Sequence, residues 1–390
     1  MQQTRGFVVM ALSTLLMGTT TAQASAAVPF DANAKVAYSL SGATVQCGDT
    51  LTHHTKLTRD LNCPGTVPYA LRVAAAGVVL DLGGYTVRRT GPQVDGSQGI
   101  VVEADSMVRN GTIQGFNYGL VGQLSALHVR LHKLALLDHI RAVYDRGATN
   151  FLITECRLSG NVAGLGNEFD ASNGTFDVRS SVFTHNGTAM FADFHNIDVL
   201  DSTFTSNGNV VYCWQGNVRF RSSMLAWNAS VSTIPNDGAG PRMCSQMRFE
   251  NTLIANNTAF APPTVPVWEP LRLSMINSMA VNNGSSLQAA AETVYIDGNT
   301  FYDNAGGLIL SDRPGVVTVP LTGIVRGNQF LSNDGDGLRV LAPSTPTVIG
   351  NVALGNTGFG IYAPTAFDGG GNVARDNGAG DCVGIFCTPY

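Results

Sequence analysis

The chain has 390 residues, longer than most single globular domains, which leaves two domains or one repeat array. Its 44 glycines, abundant asparagines and only 13% charged residues suit short strands joined by tight turns and argue against long amphipathic helices. A net charge of -5 with three lysines (Lys35, Lys56, Lys133) supplies no basic stripe to neutralise phosphates, so no nucleic-acid partner is expected.

Residues 1–26 read as a secretory signal. Arg5 gives the positive start, 6–17 is mostly apolar, and Ala22-Gln23-Ala24 or Ala24-Ser25-Ala26 fits a small-residue cleavage site. The run is too short for a bilayer span and no later stretch equals it without polar interruption. A secreted or periplasmic protein with no membrane span after signal removal is therefore expected. Residues 27–70, with Cys47 and Cys63, are expected to form an N-terminal cap, because an uncovered end of a repeat array exposes apolar core and strand edges.

Three segments of alternating apolar residues come next: VVLDLGGYTV at 78–87, SMVRNGTIQGF at 106–116 and LHVRLHKLALL at 127–137. From 156 onward one pattern recurs: a small polar residue, any residue, an apolar residue, two more, then Asn. Its copies run from CRLSGN at 156–161 and SVFTHN at 181–186 to NVARDN at 372–377. The closing asparagines (Asn161, Asn186, Asn207, Asn228, Asn257, Asn283, Asn304, Asn333, Asn356, Asn377) lie 21 to 29 residues apart. That period, without a leucine signature, suits coils of three short strands. Apolar pairs two apart precede each copy, as in Phe176/Val178, Ile197/Val199 and Val218/Phe220, so each strand buries one face. The central apolar position (Leu158, Phe183, Phe204, Leu225, Ile254, Phe301, Phe330) is expected to stack into an interior column. The asparagines are expected to take the left-handed backbone of the turn and to hydrogen-bond along the stack.

Seven cysteines in an exported chain suggest disulfides with one thiol left over. Cys47 with Cys63 and Cys382 with Cys387 would close the two ends, and Cys213 with Cys244 would tie a loop. Cys156 is then the odd thiol, a buried small residue of the repeat.

The Asn-ended coils, LDLGGYTV followed by VRNGTIQGF, and the closing GNVARDNGAGDCVGIFC together resemble the pectate-lyase-like group of secreted bacterial right-handed parallel β-helix proteins, over roughly residues 70–387. The resemblance implies an all-β, right-handed parallel β-helix over 71–390, a β-solenoid of about 12–13 coils capped at both ends. Family motifs of the polygalacturonases (Asn-Thr-Asp, paired Asp, Gly-His, Arg-Ile-Lys) and the Asp-Pro-His-Asp of mannuronan epimerases are absent. Asp138-His139 matches a dipeptide of pectate lyases, but Leu-Leu-Asp-His-Ile places it at a turn of this repeat. Seven histidines and ten methionines form no ligand-spaced cluster of the kind copper-associated relatives would need.

Registering the coils on their asparagines also registers the outward side chains. One column then reads Asp177, Asp198, Arg219, Arg248, and its neighbour Arg179, Leu200, Arg221, Glu250. Coils lie about 4.8 Å apart, so consecutive members of a column touch. Acid groups beside arginines fit uronate β-elimination or glycosidic acid/base work, with Asp177, Asp198, Arg219 and Arg248 as catalytic candidates and Arg179, Arg221, Glu250 and His195 as substrate-binding ones. Two stacked carboxylates are a candidate calcium site; no other cofactor is indicated. His195 and Asp193 lie just before the strand of Asp198. Insertions at 229–245 and 258–270 would wall one side of a groove, and Trp214 and Trp268 offer faces for stacking on sugars. The expected protein is a monomer that binds or acts on an extended anionic polysaccharide as a lyase or glycosidase; the alternative is a non-catalytic structural or surface-binding solenoid.

Overall fold

A computed structural model describes residues 44–92, 95–167, 174–233, 244–261, 270–312 and 320–388, all within one compact unit, Val36–Tyr390. The signal segment, the first part of the expected cap, most of both insertions and Trp268 lie outside the described residues.

The described chain is all β, a parallel solenoid of about 13 turns. Among the described residues no helix is long and apolar enough to cross a membrane. Each regular coil contributes a five-residue strand, a corner, a three-residue strand, a second corner and a third strand. Thr175–Arg179, Val182–Thr184 and Thr188–Asp193 make one such coil, and each pairs in parallel with its equivalent in the next. The third strands form two sheets, nine strands from Asp49–Leu51 to Ser230–Thr233 and five from Leu287–Ala290 to Gly380–Val383. Early in the chain the first two faces run into one another. Ser106–Gln114 and His128–Leu137 bend round the first corner at Asn110 and Lys133, both at positive φ.

The described part of the 27–70 segment is itself a coil. Asp49–Leu51, Thr55–Lys56 and Leu61–Pro64 pair with Tyr69–Val73, Val79–Asp81 and Thr86–Thr90, and Cys47–Cys63 ties it together. The other bonds are Cys213–Cys244 and Cys382–Cys387, with Cα separations of 5.1 and 6.1 Å.

Alternation places the core as the sequence pattern predicts. Leu158, Phe183, Phe204, Leu225 and Ile254 stand directly opposite one another in successive coils; the column passes through Ala280 and continues to Phe301 and Phe330. All are fully buried. Phe183 and Phe204 stack at 4.7 Å between ring centroids, and Phe301 and Phe330 at 5.1 Å. Such offset stacks add to what area burial alone contributes.

The corners correct one expectation. The ladder asparagines do not take the left-handed backbone; the residue just before each one does, as at His185, Ser206, Trp227 and Asn256, or a glycine at Gly160 and Gly355. The asparagine is needed instead for its amide. Asn186 Nδ2 donates to Asn207 Oδ1 (2.9 Å) and to the Leu158 carbonyl (3.0 Å), so donors and acceptors buried in the wall are satisfied coil by coil. The ladder ends on Asp381, whose carboxylate accepts from Asn377 Nδ2 at 2.9 Å. At its start His139 stands where later coils place Asn, its backbone N–H donating to Asn161 Oδ1 at 2.9 Å. The Asp138-His139 dipeptide is thus part of the wall, with the ring buried.

The first corner carries a second ladder. Ser202 Oγ accepts from the Ser181 amide and Ser223 Oγ from the Ser202 amide; from Asn299 the role passes to Asn328, Asn351 and Asn372. Cys156 heads this column, donating its amide to Ser181 Oγ, and burial pushes its thiol up to about 12. It is therefore a packing residue with no thiolate to react.

Candidate functional site

The outward faces of Thr175–Arg179, Asn196–Leu200, Asn217–Arg221 and Gln246–Glu250 form the floor of a shallow groove. Because the inward positions of these strands are Phe176/Val178, Ile197/Val199, Val218/Phe220 and Met247/Phe249, all buried, the intervening residues must face solvent. The register places Asp177 opposite Asp198, Asp198 opposite Arg219, and Arg219 opposite Arg248. The neighbouring column runs Arg179, Leu200, Arg221, Glu250 in the same register. All seven charged side chains share one face.

Each carboxylate on this face is held by arginine. Arg179 grips Asp177 with both Nε (2.9 Å) and Nη2 (2.5 Å), and Arg221 grips Asp198 likewise at 3.2 and 2.7 Å. Glu250 is shared: Arg219 Nη2 donates to it at 2.8 Å, and Arg248 Nε contacts its other oxygen. Burial opposes ionisation of Glu250, but Arg219 and then Arg248 outweigh it and hold its carboxyl below the usual carboxylate range. Asp177 in turn raises the affinity of Arg179 for its proton. The arginines and both aspartates are partly exposed and Glu250 less so, and the more exposed pairs orient side chains more than they stabilise the fold.

A third column completes the floor. Thr175, Asn196, Asn217 and Gln246 stand opposite one another, and Asn217 Nδ2 donates to Asn196 Oδ1 at 2.7 Å. With Asp177, Asp198, Arg219 and Arg248 they line a cleft of about 390 Å³. These amides share a common offset from the Asn ladder, but uncharged polar residues on a strand carry no mark of chemistry, and only the charged columns are singled out by sequence.

His195 is not brought to the groove. It is completely buried; its Nε2 lies 2.8 Å from Asp145 Oδ2 and its Nδ1 3.1 Å from the Asp193 carbonyl. Asp145 Oδ2 also accepts the Thr149 amide at 3.1 Å, so the pair belongs to the wall of the solenoid. Trp214 packs on Phe194 at 5.2 Å, in a third strand rather than on the groove floor. Among the described residues no group of three or more His, Cys, Asp or Glu is placed to hold a metal ion. Asp177 and Asp198, the pair considered for calcium, already have both oxygens engaged by guanidinium.

No family model matches the chain, and no curated protein does either. Among solved structures it is similar to the Dettilon tailspike protein, at 14% identity with a TM-score of 0.19, over 85% of this chain and 60% of that one. The chain thus spans less than two thirds of the tailspike's length.

Proposed function

We propose that the groove binds an extended anionic polysaccharide and that the protein is an exported glycan-binding β-solenoid. The observation that carries this reading is the alignment of three polar columns over four consecutive coils, in a chain with only 13% charged residues. Carboxylate and amide oxygens accept sugar hydroxyls, while arginines donate in pairs to a sugar carboxylate. Neighbouring coils repeat every ~4.8 Å, which lets one extended chain meet the same kind of partner again and again. Three disulfides suit an oxidising compartment, in keeping with export.

Recognition fits the geometry better than general acid catalysis. A general acid needs a carboxyl raised toward neutrality. Arg219 and Arg248 instead hold the Glu250 carboxyl below the usual carboxylate range, and Asp177 and Asp198 each have both oxygens engaged by guanidinium. Uronate β-elimination is the second reading, favoured by Asp198 standing between Asp177 and Arg219. There an ionised carboxylate would take the proton from the carbon bearing the sugar carboxylate, Arg219 would neutralise that carboxylate, and the glycosidic oxygen would leave as an alcohol after protonation by water.

Affinity electrophoresis in gels containing pectate, alginate or glycosaminoglycan, with and without calcium, tests the proposal. Retardation in at least one acidic gel is expected; unchanged mobility in all of them would overturn it and leave the structural solenoid. Appearance of ultraviolet-absorbing unsaturated products would select the lyase reading.

A further inference from the structure

We infer that the groove is polarised along the solenoid and ends in an acidic-sugar subsite formed by Arg248, Arg272 and Tyr295. The inference rests on the glycan-binding reading of the groove and adds which kind of sugar lies where.

The three columns do not stop at Gln246–Glu250. Arg272 follows Gln246, and Ser274 then Tyr295 follow Arg248, in register. They line a second hollow of about 290 Å³, which shares Gln246 and Arg248 with the first. The groove is therefore continuous from Thr175 to Tyr295.

Charge is distributed unevenly along it. At one end Asp177 is matched by Arg179 and Asp198 by Arg221, so each pair is neutral. Further along, Arg219 and Arg248 share one carboxylate, Glu250. Arg272 is exposed and makes no ion pair among the described residues. Unneutralised positive charge thus gathers around Arg248 and Arg272, where it would draw an anionic group of a ligand.

Tyr295 supplies the other half of a sugar site. Its hydroxyl donates to Asp297 Oδ2 at 3.0 Å and accepts from Arg326 Nη2 at 3.2 Å, while Arg326 Nε donates to Asp297 Oδ1 at 3.1 Å. Arg326 holds the Asp297 carboxyl below its ordinary range, so this acceptor stays ionised. The ring is tethered by its polar tip yet 38% exposed, which offers an apolar face to a pyranose. Arg272 and Arg248 can then take the acidic substituent of the same sugar.

The ligand class that follows is a heteropolysaccharide. A pyranose bearing carboxylate or sulfate sits over Tyr295, and neutral sugars lie over Asn196 and Asp198, about 19 Å away at four coil steps. A uniformly charged polymer would bring anions onto neutral pairs that gain nothing from them.

Isothermal titration with three hexasaccharides tests this: an oligogalacturonate, its carboxyl-reduced neutral counterpart, and a sulfated chondroitin fragment. Wild-type protein should prefer an acidic probe. Arg272→Ala should weaken that probe about tenfold and leave the neutral one unchanged, as expected for loss of one charge-assisted contact. Tyr295→Ala should weaken both, and Arg375→Ala, an exposed arginine elsewhere, should weaken neither. The acidic probe that suffers more from Arg272→Ala identifies carboxylate or sulfate as the natural group. Wild-type binding that Arg272→Ala leaves intact overturns the subsite alone. Failure of the wild type to bind any of the three overturns the glycan reading together with it.

Discussion

Asn207 and Asn228 meet through one oxygen: the Oδ1 of Asn228 accepts both the backbone amide and the side-chain Nδ2 of Asn207, each at 3.0 Å. Asn207 in turn accepts the amide and Nδ2 of Asn186 at its own Oδ1 and donates its Nδ2 to the Phe183 carbonyl. Asn207→Ala would leave these buried donors and acceptors unmatched on both sides, each at about 1–3 kcal/mol. A loss of roughly 3–6 kcal/mol is expected from urea unfolding. A loss below about 1 kcal/mol would mean that the ladder is ornamental to stability.

Phe204 stacks on Phe183 at 4.7 Å and meets Phe220 edge-on at 5.6 Å, with no solvent exposure. Phe204→Ala should cost about 3–5 kcal/mol, whereas Phe204→Leu, which occurs naturally at Leu225 one coil on, should cost less than half of that. Thermal melts of both variants check the ranking; equal losses would show that volume alone does not govern the column.

Much of this was legible because one residue type marks each coil from 156 onward. Once the asparagines are aligned, the positions of Phe204, Asp198 and Arg221 follow from period-two alternation, and the structure places them so. Corners are harder to read. Whether His195 points in or out depends on a single residue of register at a bend, and a slip of one reverses a side chain's face. Sequence offered it as a substrate-binding candidate just before the strand of Asp198, while the chain buries it against Asp145, a residue 50 positions earlier. The Ser202–Ser223 ladder was likewise hidden, since a hydroxyl at a corner is common for turn chemistry alone.

His139 gives the fold a pH dependence. Burial lowers its pKa to about 4, although carbonyls of Phe116 and Ile113 partly offset this. The folded state thus holds the ring neutral while an unfolded chain protonates near 6.5. Stability from this group is complete above about pH 6.5 and falls as pH drops toward 4, by up to ~3 kcal/mol. Unfolding free energy measured across that range should therefore decline on acidification. His139→Asn, which restores the residue used by later coils, should flatten the decline; an unaltered slope would place its origin elsewhere.

The Asp145–His195 pair distinguishes a wall residue from a binding one. Both side chains are fully buried, so Asp145→Ala would strand the histidine and should cost about 3–5 kcal/mol. At temperatures where the variant remains folded, its affinity for acidic glycan should equal that of the wild type. A selective loss of affinity without loss of stability would return His195 to the groove.

Arg219→Ala makes the opposite prediction. Arg219 sits between Asp198 and Arg248 on the groove floor, 42% exposed, and its ion partner among the described residues, Glu250, keeps Arg248 when Arg219 is removed. No buried charge is orphaned, so the change in stability should stay within about 1 kcal/mol. Binding is a different matter, because Arg219 links the neutral half of the groove to its cationic half. Its loss leaves Glu250 and Arg248 as a closed pair and removes the guanidinium that follows Asp198 in the same column. Acidic oligosaccharide should bind at least tenfold more weakly, on the order of 1.4 kcal/mol, with dissociation faster and the melt unchanged. The counter-variant Arg219→Lys keeps the charge but not the forked geometry, and should recover only part of the affinity. Full recovery by lysine would mean that the groove senses charge alone; undiminished binding by Arg219→Ala would reduce this face to a salt-bridged surface of the solenoid.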